Sequence, residues 1–129
     1  EMILLEYAIA KEDGKMIFFD SNGDAVSTSV VDHRDKWAHN GRVNFSQIEV
    51  NAMAMTTLLE KYGRDIDFIN IDVEANNLEL FNLVPDWFWQ RVKLLCIEHD
   101  NHHEIIKAKL RPFGFRELAL NGENVILGK

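Results

Sequence analysis

Residues 67–81 read DFINIDVEANNLELF, and the fold turns on this stretch. Phe68, Ile69, Ile71 and Val73 make a short, isoleucine-dense run of the kind that forms a strand covered on both faces. Asn76 and Glu79 then stand three apart, the spacing of a helix N-cap and its N3 partner. Leu78 and Phe81 mark the buried side of a helix over 77–83. After the aromatic segment PDWFW at 85–89, a second apolar run, VKLLCIE, spans 92–98. Strand, helix, strand predicts two parallel neighbours joined by a right-handed crossover. In such sheets chemistry gathers beyond the carboxyl ends of the strands. Those ends carry Asp72, Val73 and Glu74 on one strand and Glu98, His99 and Asp100 on the other. Alternation puts Phe68, Asn70 and Asp72 on one face and Ile69, Ile71 and Val73 on the other. Asp72 and Glu98 are therefore expected at the same end of adjacent strands.

Downstream, HHEIIKAKLR at 102–111 predicts a helix with Ile105, Ile106 and Leu110 inward. FRELAL and ENVILG flank Asn121-Gly122, which predicts a terminal antiparallel hairpin. Upstream, 2–10 and 15–19 read as strands, and Asn22-Gly23 as a turn. Residues 32–44 show no clear period; with Trp37 as the only large anchor they read as a loop with no more than one helical turn. SQIEVNA at 46–52 alternates as a strand. Thr57 and Glu60 have capping-box spacing, with Leu58, Leu59 and Tyr62 on one helical face and Gly63 as the stop. Trp87, Phe88 and Trp89 are consecutive and cannot share one face, so at least one covers a cleft mouth or an interface.

The chain has 129 residues, enough for a single domain. Its net charge of -7 disfavours a nucleic-acid partner and an anionic membrane surface. No apolar run reaches the roughly 20 residues that span a bilayer. One cysteine, Cys96, excludes an intrachain disulfide and fits a reducing cytoplasm. No signal peptide is visible, and the first residue is Glu1.

INIDVEANNLELF at 69–81 resembles the strand-end motif of FkbM-type methyltransferases, an isoleucine-rich strand followed by Asp-x-Glu-Gly and a glutamate two residues on. Asp72 and Glu74 match it. AIAKEDGK at 8–15, IEVNAM, TTLLEKYG, IEHD and the closing hairpin fall in the family's order, so the resemblance covers nearly the whole chain. This sequence departs from the pattern at Asn70, where the family has lysine, at Ala75, where it has glycine, and at Asn77, where it has glutamate. The seven glycines never cluster as G-x-G, so the Gly-rich turn that holds the cofactor is missing.

The resemblance implies an α/β fold: a partial Rossmann-like methyltransferase sheet with parallel central strands and a C-terminal antiparallel hairpin. Residues 1–129 then form a single, incomplete methyltransferase-like domain. Its activity would be S-adenosylmethionine-dependent O-methylation of a small-molecule acceptor. Asp72, Glu74 and His99 are the catalytic candidates and Glu98 and Asn70 the substrate-binding ones. The chain is expected to be a fragment or degenerate relative, inactive alone. The other reading is a non-catalytic binding or assembly module that kept the half-fold.

Each candidate has a plainer reading. Asp72 and Glu74 suit a solvated turn, with Glu74 facing the next helix's N-terminus. His99, with His102 and His103, is a metal-ligand candidate beside Glu98 and Asp100, but no HExxH or paired Cys/His spacing is present, and short His/acid runs at helix starts are commonly caps. An unperturbed histidine titrates near neutrality, which suits His99 as a general base. Cys96 reads as a small core residue. Without the first half of a full sheet, the strand at 67–73 loses a pairing edge and an apolar face loses cover. Either a two-fold homodimer or the fold-back of residues 1–45 then hides that surface.

Overall fold

The computed structural model describes residues 2–39, 41 and 43–129. The described residues form seven strands and five α-helices. They are β1 (Ala8–Ala10), β2 (Gly14–Asp20), α1 (Val31–His39), β3 (Ser46–Ala54), α2 (Met55–Tyr62), β4 (Phe68–Ile71), α3 (Asn77–Leu83), α4 (Asp86–Arg91), β5 (Leu94–Glu98), α5 (His103–Leu110), β6 (Arg116–Leu120) and β7 (Asn124–Gly128). They build two sheets. One is four-stranded in the order β4-β5-β7-β6; the other is three-stranded, β1-β3-β2.

The central expectation holds. β4 and β5 are parallel, with Ile69 opposite Leu95 and Ile71 opposite Ile97. That register sets Asp72 and Glu98 at the same end of the sheet. The C-terminal hairpin also forms, β6 antiparallel to β7 and β7 antiparallel to β5. Its turn is closed by Asn121, whose side-chain oxygen accepts the backbone N–H groups of Glu123 and Asn124.

Strand alternation separates the two faces of the larger sheet. Ile71, Leu95, Ile97, Val125 and Leu127 are buried and point to the helices. There they meet Leu59 of α2, Leu80 and Phe81 of α3, Phe88 and Trp89 of α4, and Ile106 and Leu110 of α5 in one cluster. Trp89 is tilted against Phe81 and edge-on to Phe88 and Phe115, arrangements favoured by ring quadrupoles. Of the three adjacent aromatics, Phe88 and Trp89 are fully buried, while Trp87 is half-buried at the cluster's margin.

Several expectations need correction. The helices cover only one face of the larger sheet. On the other, Leu94, Cys96 and Ile126 are half-buried, and Phe68 is 52% exposed. Residues 2–10 do not form one strand: only Ala8–Ala10 pairs, and Met2, Ile3 and Leu4 are exposed. β1 and β2 pair with β3 rather than with β4, so the fold-back of residues 1–45 does not fill the place beside β4. Among the described residues β4 remains an edge strand.

The 32–44 segment is mostly helical: α1 runs nine residues but buries none of them, which is why no apolar period marks it. Asn40 and Arg42, within that segment, lie outside the described residues, as does Glu1. In α3 the inward residues are Leu80 and Phe81, with Leu78 only half-buried; in α5, Ile105 is 54% exposed.

The capping box at Thr57 is replaced by a longer-range device. α2 begins three residues earlier than that box implies, at Met55, with Ala54 as its N-cap residue and no cap bond from that side chain. The carboxylate of Asp13, from the β1–β2 turn, accepts the Ala54 N–H at 2.8 Å and the Thr57 hydroxyl at 2.7 Å. A residue 41 positions away thus serves the helix end and ties the small sheet to α2. These hydrogen bonds hold the Asp13 carboxyl below the usual aspartate range. Because the native state favours the ionised form, this stabilisation is present above the ordinary aspartate pKa of about 4 and fades as pH falls through it. Asp13→Ala should therefore lower the thermal midpoint at pH 7, and the gap from the parent should narrow as unfolding is followed down toward pH 3. A constant gap would locate the effect elsewhere.

Candidate functional site

The carboxyl ends of β4 and β5 are joined by one buried amide. Asn77 opens α3 and is 1% exposed. Its side-chain oxygen accepts the Val73 N–H at 2.8 Å. Its Nδ2 donates to Glu98 at 2.7 Å and to Asp100 at 3.0 Å. Both functional ends of this amide are satisfied, as burial requires. Asn76, expected as the cap, occupies the N-cap position without a side-chain bond to the helix. The capping signal located the helix start, but the amide that makes the contacts is the next one, Asn77. A carboxylate there could not donate to Glu98 and Asp100.

The preceding turn is equally constrained. Ala75 has φ of 65°, left-handed backbone that favours glycine. This explains the glycine in the family pattern and marks the alanine as strained. Thr28, 1% exposed, donates its hydroxyl to the Glu74 carbonyl at 2.9 Å. Thr28 is itself held against β2 by reciprocal backbone bonds with Phe19. The turn bearing Asp72 and Glu74 is thereby clamped to the smaller sheet.

A cleft of about 820 Å³ opens between these parts. Its floor is one face of the smaller sheet, where Met16 lies directly opposite Val50 and Phe18 stands two residues along. Ile9 and Leu80 add apolar wall. Asp72, Val73, Glu74 and Asn76 form the rim at the end of β4, and Glu6 and Tyr7 the approach from the N-terminal side. The volume lies within the 300–1,000 Å³ typical of small-molecule sites.

The rim is electrostatically crowded. Burial pushes the Glu74 carboxyl up, with help from Asp72 and Asp100. Burial likewise raises Glu98, reinforced by Asp100, Asp72 and Glu74 and opposed by the Asn77 hydrogen bond. α1 lays His33 against this group, its Nε2 3.2 Å from Glu74 Oε2 without the alignment of a hydrogen bond. Burial, then Lys36, holds the His33 imidazole below its ordinary range, against the pull of Asp100 and Glu98. Both partners are thus shifted toward neutrality: desolvation outweighs their attraction. No sequence signal marks His33, because the helix that carries it has no apolar period.

The other candidates are placed differently. Asn70 lies on the open face of β4, outside the cleft lining. His99 is 4% exposed, with Nδ1 accepting the Asn101 N–H at 3.0 Å and Nε2 lying 3.1 Å from the Asn121 carbonyl, which assigns the proton to Nε2. Both ring nitrogens are committed to joining the β5 turn to the hairpin. His103 meets His99 edge-on, with centroids 5.0 Å apart. Among the described residues no group of three or more His, Cys, Asp or Glu side chains is arranged to hold a metal ion, and His99, His102 and His103 do not form one. Burial raises the Cys96 thiol.

Residues 1–117 match the family described as the methyltransferase FkbM domain. The chain belongs to this family. No curated protein and no solved structure gives a match. Methylation by this family depends in general on S-adenosylmethionine. A nucleotide cofactor in a sheet of this type is approached closely by a Gly-rich turn. None of the seven glycines lines the cleft, and the described residues offer no such cradle. Among the described residues no helix is long and apolar enough to cross a membrane.

Replacing Ala75 by glycine should relieve the left-handed strain and raise unfolding stability by roughly 1 kcal/mol, read from denaturant midpoints. No gain, or a loss, would mean that the turn is not held at positive φ.

Proposed function

We propose that this chain forms the acceptor side of an S-adenosylmethionine-dependent O-methyltransferase. The observation that carries the reading is Asp72 and Glu74 of the family motif at the mouth of an apolar cleft, beyond the carboxyl end of β4. There an acceptor hydroxyl donates a hydrogen bond to one of the two carboxylates, which takes its proton as the oxygen becomes nucleophilic. A carboxyl raised above its usual range, as Glu74 is, is a better-matched base near neutral pH. Glu98 sits behind this pair and is aimed by Asn77; His99 acts by fixing the turn that carries Asp100. The acceptor is a small molecule, and among the described residues nothing basic lines the cleft to suit a nucleic acid. The lone thiol fits a reducing, cytoplasmic setting.

A second reading, a non-catalytic assembly module, is favoured by a different observation. The open face of the larger sheet shows Phe68 at 52% and Leu118 at 53% exposure beside half-buried Leu94, Cys96 and Ile126, next to the unpaired edge of β4. Two copies facing each other there would cover the same patch on both, and on either reading we propose a homodimer.

Titration calorimetry of the 129-residue chain with S-adenosylmethionine should give weak binding or none, because the Gly-rich cradle is missing. Tight one-to-one binding would defeat the assignment to the acceptor side alone. Light scattering should return twice 14.9 kDa at micromolar concentration; a clean monomer rejects the dimer.

A further inference from the structure

The cleft joins two surfaces that are seldom left empty together. Its floor and wall are apolar: Ile9, Met16, Phe18, Val50 and Leu80. Its polar lining is acidic, with Asp72 and Glu74 at the rim and Glu6 on the approach, and among the described residues no lysine, arginine or histidine lines it. Glu98 and Asp100 add negative charge from behind, close enough to act on Glu74 and on His33. His33 is set against Glu74, and burial holds its imidazole below its ordinary range, which favours the neutral ring beside the carboxylates. A dissolved anion is repelled from such a rim. A neutral amphiphile gains the apolar wall but leaves the carboxylates uncompensated. A cation carried on an apolar body satisfies both surfaces at once.

Resting on the acceptor-side reading, we propose that the acceptor admitted by this cleft is an ammonium-bearing amphiphile: a protonated amine set against Asp72, Glu74 and Glu6, with its hydrocarbon part on the floor formed by Met16, Phe18 and Val50. The reacting hydroxyl belongs to the same molecule, within reach of the carboxylate that receives its proton. The selectivity is electrostatic, so it weakens as salt screens the rim.

The test uses three probes that share one chain length: octylammonium, octyl glucoside and octanoate. Each is titrated into the isotopically labelled 129-residue protein, and backbone amide shifts are followed at Ala8, Ile9, Thr28, Val73 and Glu74. Octylammonium should move these signals and bind at least tenfold more tightly than octyl glucoside; octanoate should leave them in place. Glu74→Gln and, separately, Glu6→Gln should each weaken octylammonium roughly tenfold, the loss of one charge-assisted contact. Glu6 lies outside the Thr28 clamp and the His33 contact, so its variant reports on charge even if Glu74→Gln disturbs the turn. Equal binding of octanoate or octyl glucoside overturns the proposal, as does octylammonium binding that neither variant changes. Displacement of octylammonium by S-adenosylmethionine would assign the cation seat to the donor's sulfonium and overturn the acceptor assignment. None of these readouts requires methyl transfer. Ammonium selectivity in a protein that never transfers methyl groups would sink the enzymatic reading alone. Transfer to neutral or anionic acceptors without that selectivity would sink this proposal alone.

Discussion

The buried amide of Asn77 is the contact on which the site depends. Parallel strands bring Asp72 and Glu98 to the same end of the sheet, but a register by itself does not hold carboxylates at close quarters; their repulsion would splay the two turns. One side chain, satisfied at both its oxygen and its nitrogen, ties the Val73 backbone on one turn to Glu98 and Asp100 on the other. Because it is neutral, it joins two acids without cancelling their charge. Burial, with the neighbouring acids adding to it, therefore still raises Glu74 and Glu98.

The smaller sheet has a complementary part. It shares no strand with the larger one, yet it is fastened to it at two points: Asp13 at the start of α2, and Thr28 at the Glu74 carbonyl. Between these fastenings lies the cleft. Its apolar floor comes from residues that alternate inward along β2 and β3, and its acidic rim from the end of β4. Neither sheet alone would make a site; their separation makes the cavity and their fastenings keep it in register with the carboxylates.

Much of this was legible in the sequence, for physical reasons. The runs at 67–73 and 92–98 are strands because they are short, apolar and rich in β-branched residues, and the helix between them forces the parallel pairing. Asp72 and Glu74 stood out through the Asp-x-Glu motif of the resemblance together with their place at a strand end; spacing alone suited a solvated turn. What was missed depended on partners distant in sequence. Asp13 serves a helix 41 residues away, so the local capping signal at Thr57 misled. α1 meets the rest of the fold through contacts such as Arg34 over the Phe19 ring and buries no residue of its own, so no period marked it. Asn76 and Asn77 have the same chemistry on paper, and only the register of α3 decides which of them turns inward. His99 offered a plausible base until both ring nitrogens were seen to be engaged.

The site exists only if Asn77 holds the acidic cluster together. Carbon-13 NMR titration of the Glu side-chain carboxyls, in the parent and in Asn77→Ala, measures this directly. Glu74 and Glu98 should both titrate above the ordinary glutamate range in the parent, and in the variant Glu98 should move higher still, because the hydrogen bond that favours its ionised form is gone. If Glu98 titrates at or below the ordinary range, or drops when Asn77 is removed, the cluster is not organised in this way.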